Sequence, residues 1–198
     1  CSMASMSNSV VSERDARAMV RLVGETAAVA ATGGYLECRK FLLNGLCEMI
    51  GADAWAWALS RVDTETHQIY YLTNQVGGMD DGQWTAVAAA VENPEMKVAA
   101  KRFGEALANT KQAVTMNREE IDPENVSRQG ELKRAWDRTG FDGMIMSGHP
   151  IDEESSCHIV IYRNIDKGDF TDRQTQIAHI VLSEVKWLHA QGWPEDRG

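Results

Sequence analysis

The chain has 198 residues, 43% of them hydrophobic, and carries 20 Lys and Arg against 29 Asp and Glu, a formal net charge of −9. It reads as one ordinary soluble domain, because no apolar run approaches the roughly 20 residues that a membrane-spanning helix needs. The acidic balance argues against direct nucleic-acid binding, which requires a basic footprint to neutralise phosphates.

Cys1-Ser2-Met3 precedes two start-like methionines, Met3 and Met6, so residues 1–11 are expected to be an expression remnant and a flexible lead-in. Ser12 to about Ala31 is an alanine-rich amphipathic helix with Met19, Leu22, Val23 and Val29 available for packing, and Gly33-Gly34 breaks it. A second helix, Tyr35 to Ile50, carries Leu36, Phe41, Leu42, Leu46 and Met49 and ends at Gly51. The period then switches to two. From Ala54 to Val62, Trp55, Trp57 and Leu59 point one way while Ala54, Ala56 and Ala58 point the other. Asp63-Thr64-Glu65-Thr66 is a turn, Gln68 to Thr73 the returning strand of a hairpin, and Gly77-Gly78 its end. Helices follow at about Asp80–Val91 and Pro94–Asn109, then an irregular polar stretch from Thr110 to Ser127. A helix from Gln129 to Thr139 leads into strands at Gly143–Ser147 and Ser156–Tyr162.

The last helix opens at Thr171, an N-cap whose capping-box partner is Gln174. Ile177, Val181, Val185 and Leu188 form its apolar stripe, and Ile180 and Trp187 add a second row. Gly192 and Pro194 stop it, so residues 192–198 read as the start of a linker. Strands and helices that do not alternate strictly indicate an α+β fold with an antiparallel sheet.

Several whole segments carry a resemblance. Gly45-Leu46-Cys47-Glu48-Met49-Ile50-Gly51-Ala52-Asp53-Ala54-Trp55, Ile121-Asp122-Pro123 and the run from Phe170 to Gly198 are similar to the region before the helix-turn-helix domain in bacterial LuxR-type transcription regulators. Those proteins carry an N-terminal GAF-like sensory region. The resemblance implies a GAF-like domain over residues 12–191, with the first and last helices packed on one face of the sheet and helices and loops covering the other. It also implies a cytoplasmic homodimer that acts on DNA only through a helix-turn-helix domain absent from this sequence. A ligand or partner would shift the domain between arrangements, and the closing helix would pass the shift on.

For a ligand, the residues themselves offer Trp55 and Trp57 at a spacing of two, Tyr70 or Tyr71 across the hairpin, and Trp84, as the walls of an aromatic pocket. The same residues also suit a plain core. Trp57 and Trp84 echo the set with which quorum-sensing members of the wider LuxR superfamily hold acyl-homoserine lactones. Arg61 and Tyr70 stand where that pattern wants an aromatic and an acid, so that ligand class is not expected. The dimer and coupling surface is read on Ile180, Trp187 and Leu188, against Met19, Leu22 and Val23.

No catalytic residue, metal site or cofactor is indicated. The four cysteines lack paired spacing, the three internal ones fit a reducing cytoplasm, and none of the five histidines forms an i, i+4 pair. Cys157 and His158 are adjacent on a strand and so face opposite sides. The acidic doublets Asp80-Asp81, Glu119-Glu120 and Glu153-Glu154 read as solvated faces. Neither a nucleotide-binding glycine pattern nor a nucleophile elbow is present. Two alternatives remain open: a free-standing GAF-fold redox enzyme of the free methionine sulfoxide reductase type, and a ligand-free dimerisation domain.

Overall fold

Helix signals at the start of the chain are answered by structure. In the computed structural model, which describes residues 11–62 and 69–190, Ser12 caps α1 (Glu13–Ala30) through a capping box with Asp15. Helix α2 (Tyr35–Ile50) follows and ends on Gly51 in the left-handed region, φ 69°. Next come β1 (Ala54–Val62), β2 (Ile69–Gly77), α3 (Asp81–Glu92), α4 (Pro94–Ala99), α5 (Lys101–Asn109), β3 (Val114–Asn117) and α6 (Arg118–Ile121). A 3-10 turn, Val126–Arg128, leads to α7 (Gly130–Asp137), β4 (Phe141–Pro150), β5 (Ser155–Asn164), α8 (Asp172–Glu184) and α9 (Trp187–Ala190). The predicted turn at 63–66, the start of the returning strand at Gln68, and the expected tails 1–10 and 192–198 lie outside the described residues.

The five strands form one antiparallel sheet in the order β2-β1-β5-β4-β3. This is the α+β architecture expected, with α1, α2 and α8 on the back face and α3 to α7 on the front. The back core joins Leu42, Leu43, Leu46 and Ile50 of α2 and Ile177, Val181 and Leu182 of α8 to Trp55, Trp57, Leu59, Ile159 and Ile161 of the sheet. The front core joins Val87, Phe103, Leu132 and Trp136 to Ala54, Phe141, Met144 and Tyr162. Ends of elements are pinned across the fold. Arg173 at the start of α8 pairs with the Asp15 carboxylate of the α1 capping box. Arg163 donates to the Gly51 carbonyl at 3.1 Å and to the Asp169 carbonyl at 3.0 Å, with its guanidinium 3.9 Å from the Phe170 ring.

From the sequence, the alanine face of β1 reads as the one a helix can approach closely and the tryptophan face as one that could line a cavity. The structure uses the two faces the other way. The tryptophan face, not the alanine face, lies under the back helices, because bulky rings are needed to fill the gap between a helix layer and a sheet. Gly77 makes room for one of them: a Cβ there would sit 2.5 Å from the Trp55 indole on the neighbouring strand. The alanines instead leave space for side chains from the front helices.

Three local expectations also change. Residues 114–117, read as irregular, form an edge strand paired with β4, so that Thr115 lies opposite Ser147. The long helix from Pro94 is two pieces meeting at Ala100, whose φ and ψ of −85° and 1° leave the helical region. The last helix stops at Glu184, since Val185 has φ −90° and ψ 74°. The break has a cause further along. Trp57 Nε1–H donates to the Leu188 carbonyl at 2.9 Å and His189 Nε2–H donates to the Leu182 carbonyl, so α9 is turned back onto the sheet. A continuous helix would carry both partners away.

Candidate ligand-binding site

The aromatic residues singled out in the sequence do not converge. Trp55 and Trp57 are almost wholly buried in the back core, and both indole N–H groups are satisfied, Trp55 by Asn44 Oδ1 at 2.8 Å and Trp57 by Leu188 O. Tyr71 and Trp84 belong to the front: Tyr71 is 57% exposed and meets the His158 ring edge-on at 6.4 Å, and Trp84 packs half-buried beside the front core. The side chain of Tyr70 lies outside the described residues. The pleat of β1 sends Trp55 and Trp57 away from the face that holds Tyr71 and Trp84, so these four side chains do not share one wall. Ile180 and Trp187 pack half-buried against the back core, and Leu188 is fully buried in it, so Leu188 is no surface residue. Its carbonyl is already taken by Trp57, which draws the side chain inward.

The front face holds a different arrangement, at the corner where α7 turns into β4. Thr139 fixes that corner: its N–H and hydroxyl both donate to the Trp136 carbonyl, at 2.9 and 2.7 Å, and its Oγ accepts from Phe141 N at 3.0 Å. Gly140 supplies the required positive φ of 78°. The β4–β5 register shifts between Phe141 and Gly143, a bulge that sets Asp142 out of the ladder. The result is a small cleft lined by Arg118, Ser127, Trp136, Phe141, Asp142, Gly143, Met144 and Tyr162, with a volume of about 20 Å³, room for about one water molecule.

The bed of the cleft is aromatic. Phe141 stacks on Tyr162 with centroids 5.3 Å apart, and Trp136 tilts against Tyr162 at 6.2 Å. Its rim is an ion-pair network. Arg118 forks onto Asp169 with two bonds of 2.9 Å and donates to Asn125 at 3.1 Å. Arg128 bridges Asp142 and Asp169. Hydrogen bonds from Arg118, with the charges of Arg118 and Arg128, hold the Asp169 carboxyl below the usual carboxylate range against the cost of burial. Trp136 Nε1–H has no partner among the described residues although the side chain is only 8% exposed. An unmade bond of this kind costs about 1–3 kcal/mol.

A second polar feature lies behind the sheet and was invisible as spacing. His179 Nδ1 is 3.0 Å from Thr115 Oγ1, which is 2.7 Å from Ser147 Oγ, itself 2.7 Å from His149 Nε2. The His149 ring stacks on His189 at 3.6 Å. The chain runs through four elements, so only the tertiary fold assembles it. Burial pushes His189 down to about 4, and burial together with neighbouring histidines pushes His149 to about 2; burial alone takes His158, on the front face, to about 4.

Burial acts on two of the thiols in the opposite sense. Cys47 is pushed up to about 12 by burial first, and burial raises Cys157 further still. Cys157 and His158 face opposite sides of β5, with Cys157 in the back core and His158 against Tyr71 and Phe103. Among the described residues, no group of three or more His, Cys, Asp or Glu side chains is placed to hold a metal ion. No helix among them is long and apolar enough to cross a membrane.

No protein-family model matches the chain, and the search of curated proteins finds no match. Solved structures do match. The ligand-binding domain of VqsR from Pseudomonas aeruginosa superposes with a TM-score of 0.57 at 12% identity, covering 86% of this chain and 93% of that one. Escherichia coli SdiA gives 0.50 at 6% identity, covering 88% of this chain and 69% of that one. CepR2 from Burkholderia cenocepacia, an N-acylhomoserine-lactone-dependent LuxR-family transcription factor, gives 0.49 at 8%, covering 86% and 93%. The first two carry the comparison, and what they show is the fold: this chain folds like the VqsR ligand-binding domain and like SdiA.

The buried histidines give a sign-definite expectation. Their folded pKa values lie below the ordinary 6.5, so the unfolded chain binds more protons below that pH, and stability falls as pH drops from about 6.5 towards 4. Urea midpoints should decline between pH 7.5 and 5, and His189→Gln should flatten the decline. A midpoint constant over that window, or a slope untouched by the substitution, contradicts the assignment.

Proposed function

We propose that this chain is the signal-sensing domain of a LuxR-type transcription regulator, controlling a DNA-binding helix-turn-helix module joined beyond α9. The observation that carries the reading is the docking of α9. The last described helix is hydrogen-bonded to the centre of the sheet through Trp57 and to α8 through His189, so a change in the domain is relayed to the chain that follows. The likeness in fold to the VqsR ligand-binding domain supports a small-molecule signal. Control is a population shift: a signal that binds one arrangement of the domain better biases α9 by that difference in affinity and no more.

The redox-enzyme alternative needs an accessible thiolate, and the raised pKa values of buried Cys47 and Cys157 oppose it. The chain is a cytoplasmic protein in this reading, and it touches DNA only through the following module, since its own charge of −9 repels phosphates.

Such regulators read paired half-sites, which suits a twofold dimer. Val20 and Val23 on α1, with Tyr35, Leu36 and Phe41 on α2, are exposed apolar side chains on the outer hairpin and are the interface proposed here. Ile180 and Trp187 contribute less, because each already packs against its own core.

Two measurements decide. The native coding sequence after Gly198 is expected to encode a helix-turn-helix module; a stop codon or a catalytic domain there contradicts the regulator reading. Sedimentation across a concentration series is expected to show a dimer that Val20→Glu shifts towards monomer, and a monomer at every concentration removes the interface.

A further inference from the structure

Where α9 meets the sheet, two buried imidazoles lie ring on ring, with no carboxylate among the described residues bonded to either. We propose that the His149–His189 stack is an acid-sensitive latch, which holds α9 on the sheet while both rings are neutral and releases it when they take up protons. The latch stands on the geometry of the stack. That its release reaches a following module rests on the signal-sensing reading.

Three features make this contact a switch. The first is its placement. His149 belongs to β4 and His189 to α9, so the stack joins the terminal helix to the sheet, and parting the two elements parts the rings. The second is its closeness. The centroids are 3.6 Å apart and the planes 11° from parallel, so a proton on each ring would set two like charges in van der Waals contact. His149 is 5% exposed and His189 7%, so water screens neither. The third is the proton count. His189 Nε2–H donates to the Leu182 carbonyl of α8, which leaves Nδ1 as the bare nitrogen, buried and without a partner among the described residues. A second proton on this ring would sit at Nδ1 with no acceptor among those residues to receive it.

The charged and titratable groups around the rings oppose charging them. His149 feels His189, His179 of α8 and His158 of β5, and His189 feels Arg39 of α2. None of these is a carboxylate, and Ser147, 2.7 Å from His149 Nε2, is neutral. The Leu182 carbonyl favours a charge on His189, and burial outweighs it. Docked, the rings therefore titrate well below 6.5, His189 at about 4 and His149 at about 2; released, they return towards that ordinary value. The sign follows. Docking is undiminished above about pH 6.5 and weakens as pH falls towards 4, by about tenfold per pH unit for each ring that release frees. The released state sets the upper edge of this window, so the latch responds in mild acid, above the pH at which the docked rings titrate.

Amide hydrogen exchange reads the latch in this chain. The Leu188 and His189 amides donate to the Val185 and Lys186 carbonyls within the docked turn, so their protection measures how rarely α9 leaves. Between pH 7.5 and 5.5 that protection, corrected for the intrinsic exchange rate, is expected to fall about a hundredfold, about tenfold for each ring. His189→Gln keeps a donor for the Leu182 carbonyl and His149→Phe keeps a ring to stack. Each should cut the fall to about tenfold, and the two together should remove it. Dilute urea separates release from unfolding, because a short helix exposes little surface on leaving: α9 exchange should ignore urea that speeds exchange at Ile159 and Ile161 of the sheet. Protection of α9 that is constant over this window, or a fall that persists in the double variant, overturns the latch. So do α9 amides that follow Ile159 and Ile161 in their response to urea. The regulator reading fails on a different observation, the coding sequence after Gly198, so the two failures are distinguishable.

Discussion

The arrangement of the back of this protein depends on the indole of Trp57. The Arg39 guanidinium of α2 lies 3.4 Å from its ring centroid, and its N–H is spent on the Leu188 carbonyl of α9. Arg39 is 1% exposed, and burial draws its pKa down to about 10, so the cation is held in the core at a desolvation cost. The ring face and the bond to Gln75 Oε1 at 2.9 Å offset that cost. Trp57 and the Arg39 on its face together therefore tie α2, β1, β2 and the terminal helix to one another. Removing α9 would leave a buried indole N–H unmade beside a buried cation, which is why α8 breaks at Val185 rather than running on.

The two faces of the sheet divide the work. Behind it the indoles of Trp55 and Trp57 are satisfied and the stack of large aliphatic side chains is dense, which gives a rigid support. In front, several short helices cover a strand of alanines, and the corner at Trp136 keeps an unmade hydrogen bond worth about as much as one ordinary destabilising mutation.

Local chemistry made much of this legible in the sequence. The capping pair Thr171 and Gln174, the Gly51 stop and the alternation along Ala54–Val62 each rest on a residue whose backbone preference is strong, and each element is present. The side of the sheet to which Trp55 and Trp57 turn was not legible, because alternation separates two faces without saying which one meets the helices. Val114–Asn117 is too short and too polar in its setting to announce a strand; its partner β4 makes it one. The apolar spacing of Val185 and Leu188 suits a continuing helix, and only the distant acceptance of an indole N–H overrides it. Trp136 had no distinguishing signal at all, since what marks it is the partner it lacks.

The central claim is that the Trp57 hydrogen bond holds the terminal helix and so makes it a reporter of the domain. Amide hydrogen exchange in the unmodified chain and in Trp57→Phe tests this most directly. Loss of one buried hydrogen bond is worth about 1 kcal/mol, so the Leu188 and His189 amides should exchange about fivefold faster while Ile159 and Ile161 in the sheet keep their protection. Unchanged exchange in α9, or an equal loss of protection throughout the sheet, would contradict it.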